Sequence, residues 1–282
     1  MDITSILKIK ELFGLKEWYE DIRYGKHNDL RQLARRVLKV LKVHNIPASR
    51  IPWVFPEHNF KQKNFATIKS VIDDVIDENF LNTLTNKFHL NRSWLDTGYG
   101  APQKVYEYGY EFDRIYDLLT NLSTQENQWS TMYFIAEKGT KFVPAEDHST
   151  FQGVIIVLAT TIESNDTNFS YTHYLPVYIG RWHDTKTRMM IKAISLLCFQ
   201  LSIHQKGYFS KKANYRAMDK YFVAEVLDVI ANEEWYPDDY IFSSVKSQCS
   251  KDREDAERMH DYLRKKGYFD RIKNLRPCEW LD

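Results

Sequence analysis

The apolar pattern of this chain changes period near residue 127, and that change limits the possible folds more than any other feature. Before it, apolar residues recur every three to four positions. "DLRQLARRVLKVLKVHNI" places Leu30, Leu33, Ala34, Val37, Leu38 and Leu41 on one helical stripe, with Asn28 or Asp29 able to cap it. After it come three runs rich in β-branched and aromatic residues: 129–138, 151–162 and 171–183. The connection "SNDTN" suits a hairpin, and short connections favour an antiparallel meander. "DTKTRMMIKAISLLCFQLSIHQKG" then reads as a covering helix capped by Asp184 and stopped by Gly207. The tail from 217 onward reads as mostly helical, with a loop over 235–242. The expected architecture is therefore multidomain: an all-α part, then an α+β part with a small antiparallel sheet and covering helices.

The helical part divides further. Residues 1–27 carry apolar positions at mixed three- and four-residue steps, which suggests an amphipathic helical arm. Pro47, Pro52 and Pro56 restart the chain in short helical turns. "FKQKNFATIKSVIDD" reads as a helix with Phe65, Ile68, Val71 and Ile72 inward. Asp77 can cap "ENFLNTLTNKFHL", whose inward set is Phe80, Leu81, Leu84 and Phe88. A last turn carries Trp94 and Leu95 and ends at Gly98. Residues 28–100 thus form five short helices, the size of a helical DNA-binding domain. Residues 101–126 read as a connector helix with Tyr108, Phe112, Ile115 and Leu119 as its stripe, and 127–282 as an effector or dimerisation domain.

Formal net charge is only +1, but its distribution is uneven. From Lys26 to Ile72, ten basic residues face two acidic ones, a surplus of eight within 47 residues. Such a segment suits a polyanion; a solvated helix face is the alternative. Hydrophobic content of 43% with 27% charged residues argues against global disorder. Three cysteines, Cys198, Cys249 and Cys278, have no CxxC spacing, so neither a disulfide framework nor a zinc site is implied and a reducing cytoplasm fits. No apolar run reaches the ~18–20 residues of a membrane span, and the start lacks signal-peptide order.

"ENFLNTLTNKFHLNRSWLDTGYG" (78–100) resembles the last two helices of the Cro/C1-type (Xre-like) helix-turn-helix domain. Leu81, Leu84 and Phe88 match its inward residues, Leu90-Asn91-Arg92 its turn, Trp94-Leu95 its closing pair and Gly98 its stop. The resemblance covers about 70 of 282 residues. It departs from the family over 46–68, where three prolines interrupt the pattern. It implies that "PASRIPWVF" is a shortened second helix and "FKQKNFATIKS" the recognition helix, and that Trp94 closes the bundle without reading DNA. The implied function is a sequence-specific transcriptional regulator, a repressor or activator, binding double-stranded DNA as a dimer.

Side-chain chemistry suits that role. Gln62 and Asn64 are able to bridge adenine edges, and Lys61, Lys63 and Arg50 to reach guanine or phosphate. Thr67 and Lys69 lie in the same segment, while Arg31, Arg35, Arg36, Lys39 and Lys42 would track the backbone. A second candidate site, for a small-molecule or anionic effector, gathers Arg181, Trp182, His183 and Arg188 at a strand–helix junction; a salt-bridged packing corner is the alternative. His173 and His204 read as ordinary, partly buried histidines. No cofactor, metal spacing or catalytic motif stands out. Asp184-x-Lys186 with Asp166 faintly suggests a metal-dependent nuclease, and "AEDHST" (145–150) groups Glu146, Asp147 and His148. The functional alternatives are that nuclease and a protein-interaction module such as an antitoxin.

Overall fold

The computed structural model describes residues 29–105, 112–123, 128–140, 142, 153–163, 169–211, 217–227, 230–240 and 250–275. The arm over 1–27, the connector position Tyr108, the hairpin connection 164–168, Asp166, Glu146, Asp147, His148, Cys249 and Cys278 lie outside these residues.

Helix α1 (Asp29–Val43) buries Arg31, Leu33, Ala34, Val37, Val40 and Leu41. The stripe is rotated from the one expected: Leu30 is exposed and Leu38 only half-buried. The proline-rich stretch forms a 3₁₀ turn (Ala48–Arg50), a single α-turn α2 (Ile51–Val54) and a second 3₁₀ turn (Pro56–His58). Each proline lacks the N–H that would continue the previous turn.

A break follows where one helix was expected. Gln62–Phe65 is a 3₁₀ turn, and α3 begins only at Ile68 (Ile68–Asp74). The cause is local. Thr67 sits in extended backbone and its side chain accepts from the Ser70 N–H, while Asn64 Oδ1 accepts from the Lys61 N–H at 2.7 Å. Two polar side chains therefore cap separate turns instead of riding on one helix. Helices α4 (Glu78–Lys87) and α5 (Arg92–Thr97) follow the sequence reading: Asp77 accepts from Phe80 N–H, and Gly98 ends α5 at φ +80°. Arg92 clamps the two helices, donating to both Glu78 carboxylate oxygens and to Asp96.

After α6 (Phe112–Ser123), strands β1 (Gln128–Glu137), β2 (Gly153–Glu163) and β3 (Ser170–Arg181) pair antiparallel in sequence order. Helix α7 (Thr185–Gln200) then carries the chain back past β2, and β4 (His204–Ser210) pairs parallel with β1. β5 (Ile230–Trp235), preceded by α8 (Val223–Leu227), pairs antiparallel with β4. The sheet order is β3-β2-β1-β4-β5. The sheet is therefore mixed, which corrects the expected antiparallel one. Two segments read as helix are strands, and Gly207, expected as a helix stop, lies in the middle of β4. A Cβ there would overlap the Trp235 carbonyl oxygen and come within 2.8 Å of its indole. The glycine is a site of close backbone approach, which a helix-stop signal mimics. β3 is an edge strand; it accommodates Pro176 next to a register shift at Ile156/Val157.

Both sheet faces are covered. Met132, Phe134 and Ala136 of β1 and Val154, Ile156 and Leu158 of β2 pack with α6, α7, α9 (Ser250–Lys265) and α10 (Tyr268–Leu275). The alternate residues Ile135, Ile155 and Val157 pack under Ala217, Met218, Val223 and Val226. That is why "GVIIVLA" is apolar at every position and not at every second one.

The helical bundle is joined to this unit. Its core, built from Val37, Leu41, Phe55, Val71, Phe80, Leu84, Phe88 and Leu95, continues into Tyr171 of β3 and Phe222. Trp94 is buried as expected, but its ring meets Phe222 edge-on at 5.1 Å. Two side chains bond to the open edge of β3: His44 Nδ1 lies 3.0 Å from Thr172 O, and Gln103 Nε2 lies 3.1 Å from Tyr174 O. A carbonyl only accepts, so His44 carries its proton on Nδ1. These bonds blunt an edge that would otherwise be open to another strand.

Candidate nucleic-acid interface

Of the twelve basic and polar residues assigned to DNA, Lys42 is exposed near the end of α1, and the other eleven divide into three groups. Lys61, Gln62, Lys63 and Lys69 are exposed, and among the described residues none of these three lysines forms an ion pair. They project from the Gln62–Phe65 turn and the first turn of α3. Arg50 lies on the neighbouring turn, half-buried, with its guanidinium 5.5 Å from the ring centre of Phe169. Trp53, on α2, meets Phe169 and Tyr171 edge-on at 5.5 and 5.7 Å. The strand-end Phe169 thus braces this face of the bundle.

The second group is polar but committed to the fold. Asn64 accepts from Lys61 N–H and donates to Asp74 Oδ2 at 3.0 Å, and Thr67 caps α3. Both side chains therefore already hold local partners.

The third group lies on α1, where Lys39 is exposed and the three arginines are buried or half-buried. Arg36 donates to Leu95 O and Asp96 O, both at 2.6 Å, closing the carboxyl end of α5. Burial holds this guanidinium below its ordinary pKa, against the pull of Asp96 and Asp29. Lys39 Nζ sits 3.5 Å from Glu225 and 5.2 Å from the Phe222 ring centre. Arg31 is buried and Arg35 half-buried. The expected backbone-tracking stripe is therefore corrected in part: Arg36 ties α1 to α5, and Lys39 ties it to α8. The spacing of cations on a helix records a face, but not what the face meets.

The expected effector corner is also spent on packing. Arg188 is fully buried and forms a salt bridge with Asp255 of α9, with Nε donating at 2.8 Å. Its other donors reach Trp182 O and His183 O. Trp182 is buried against Phe142 and Tyr240, His183 is half-buried, and Arg181 alone is exposed. Asp184 accepts from Thr187 N–H, which draws its carboxyl pKa down, so it is the helix cap read from sequence.

Two features escaped the sequence reading. A histidine seam lines the joint between bundle and sheet: His44 packs on Phe88 and Tyr174, and the His89 and His173 rings stack at 5.8 Å. All three pKa values are pushed down to about 4, chiefly by burial. His173 is half-buried as expected, whereas His204 is exposed. The other feature is an apolar cleft between α6, α7 and α9. Among the described residues no group of three or more His, Cys, Asp or Glu is placed to hold a metal ion, and no helix is long and apolar enough to cross a membrane. No protein-family model, curated protein or solved structure matches the chain, so the site is read from its own chemistry.

Proposed function

We propose that this chain is a DNA-binding regulator that grips duplex DNA through the Gln62–Phe65 turn and the start of α3. One observation carries the reading. In a helical bundle closed by Trp94 and Leu95, Lys61, Gln62, Lys63 and Lys69 are exposed together at the Gln62–Phe65 turn and the start of α3, and no acid among the described residues pairs with these lysines. Phosphate contacts dominate such an interface, and Gln62 is the side chain placed to reach a base edge. Because Asn64 and Thr67 are committed to local caps, base reading rests on few groups. Useful affinity then calls for two copies on adjacent half-sites.

The test is binding to duplex fragments across a salt series, with and without Mg²⁺, comparing wild type with Lys61→Ala/Lys63→Ala and with Lys39→Ala. Loss of two phosphate contacts flattens the log–log salt slope by about 1.8. Lys39→Ala, whose side chain is turned to Glu225, leaves the slope unchanged. Absence of binding at every salt concentration would overturn the proposal and direct attention to protein partners. Cleavage dependent on Mg²⁺ would replace it with the nuclease reading.

A further inference from the structure

Arg50 belongs to the bundle, but the group that holds its side chain belongs to the sheet. Its guanidinium lies 5.5 Å from the ring centre of Phe169, the residue before β3. Among the described residues this side chain forms no hydrogen bond or ion pair. Arg36 and Arg92, by contrast, spend their N–H groups on the carboxyl end of α5 and on Glu78 and Asp96. A ring contact differs from these in kind. It covers the face of a guanidinium, but it neither neutralises the charge nor occupies the N–H donors at the edge. The backbone is fixed as well: Arg50 N–H donates to Pro47 O at 2.8 Å, and Pro52 lies in the first turn of α2. The ring is fixed in its turn. Trp53 meets Phe169 edge-on at 5.5 Å, and the buried Tyr171 stacks on it at 6.5 Å. The Ala48–Arg50 turn packs against the Gln62–Phe65 turn, so Arg50 stands beside the segment that carries Lys61 and Lys63.

We propose that Phe169 is a positioning residue of the DNA surface: its ring pre-orients Arg50 to receive a backbone phosphate beside those gripped by Lys61 and Lys63. The inference rests on the regulator reading and deepens it, because it makes the sheet part of the DNA-binding unit. A guanidinium whose N–H edge is uncommitted takes a phosphate through two parallel hydrogen bonds. An arginine on a solvated turn loses rotamer freedom when it binds. One already stacked on a ring has lost much of that freedom before the DNA arrives. A displacement of the start of β3 therefore reaches the DNA surface through a single ring.

The experiment is duplex binding by the full chain across a salt series, with Tm measured for every variant. The variants are Arg50→Ala, Arg50→Lys, Phe169→Leu, Phe169→Tyr and the double change Arg50→Ala/Phe169→Leu. Arg50→Ala should flatten the log–log salt slope by about 0.9 per bound copy, which is about eightfold in affinity at ~0.1 M salt. Phe169→Leu keeps the charge and should weaken binding about threefold with the slope unchanged. In the Arg50→Ala background the same change should have no further effect. Phe169→Tyr, which keeps the ring, should bind like wild type. Arg50→Lys keeps the charge but not the flat stack, so it should match Phe169→Leu, and it supplies the test if Phe169→Leu does not fold. Wild-type affinity in Phe169→Leu or in Arg50→Lys would overturn the inference and leave the regulator reading standing. So would an equal loss with and without Arg50, or a lowered Tm with binding unchanged, either of which would make Phe169 a packing residue only. Absence of binding by wild type at every salt concentration would overturn both.

Discussion

Gln103 is fully buried where three elements meet, and replacing it by methionine tests whether bundle and sheet fold as one. Its Nε2 donates to Phe88 O at 3.2 Å and Tyr174 O at 3.1 Å, and its Oε1 accepts from Val223 N–H at 2.8 Å. One side chain therefore links α4, the edge of β3 and the start of α8. Methionine keeps the length and the packing but makes none of these bonds. A buried N–H left without an acceptor costs about 1–3 kcal/mol, and each carbonyl that loses its donor about 1 kcal/mol. Better burial of the thioether returns about 1 kcal/mol. The expected net loss is about 2–4 kcal/mol, or roughly 5–15 °C in Tm for a chain of this size. Urea unfolding followed by tryptophan fluorescence measures it, and hydrogen exchange locates it. Exchange should rise at Val223 and along β3 before it rises in the β1–β2 centre. A change below about 0.5 kcal/mol, the scatter of ordinary surface substitutions, with uniform exchange, would show that the bonds do not join the two units.

The histidine seam makes stability depend on acid. His44, His89 and His173 titrate near 4 in the folded chain and near 6.5 when unfolded, and Lys87 and Lys104 face them. Their neutral forms belong to the folded state, so stability is complete above pH 6.5, falls as pH drops toward 4 and is level below that. Each site contributes at most about 3 kcal/mol, and His173→Phe should reduce the slope measured by urea titration between pH 6 and 4.5 by about one proton. A slope unchanged in that variant would refute this. Asp255→Asn leaves the buried Arg188 guanidinium without its counter-charge and should cost about 3–5 kcal/mol; thermal unfolding within 2 °C of wild type would show that the ion pair is not structural. Gly207→Ala drives a methyl into Trp235 and should cost about 2–3 kcal/mol, with a changed near-ultraviolet tryptophan signal; an unaltered spectrum would contradict the packing of β4 on β5.

Local chemistry was legible in the sequence. Asp77 and Asp184 cap the helices read from them, Gly98 ends α5, and Phe80, Leu81, Leu84 and Phe88 are all buried. The first three strands were visible because their β-branched runs need no distant information. These features depend on neighbours within a turn or a pleat, where spacing alone fixes geometry. The cation-rich α1 was also visible, but not its use.

Tertiary structure decided everything that depends on a distant partner. Arg36 finds Leu95 across 59 positions, Arg188 finds Asp255 across 67, and Gln103 finds Val223 across 120. Until the chain folds, each is a polar side chain like any other; afterwards burial obliges each to satisfy a specific group. The same holds for β4, whose glycine is dictated by a tryptophan on a strand 28 residues away, and for the cleft, which exists only because α6, α7 and α9 meet around Ala193. A sequence sets which residues seek burial and where helices stop; which cations remain for a ligand is settled by what the fold has already consumed.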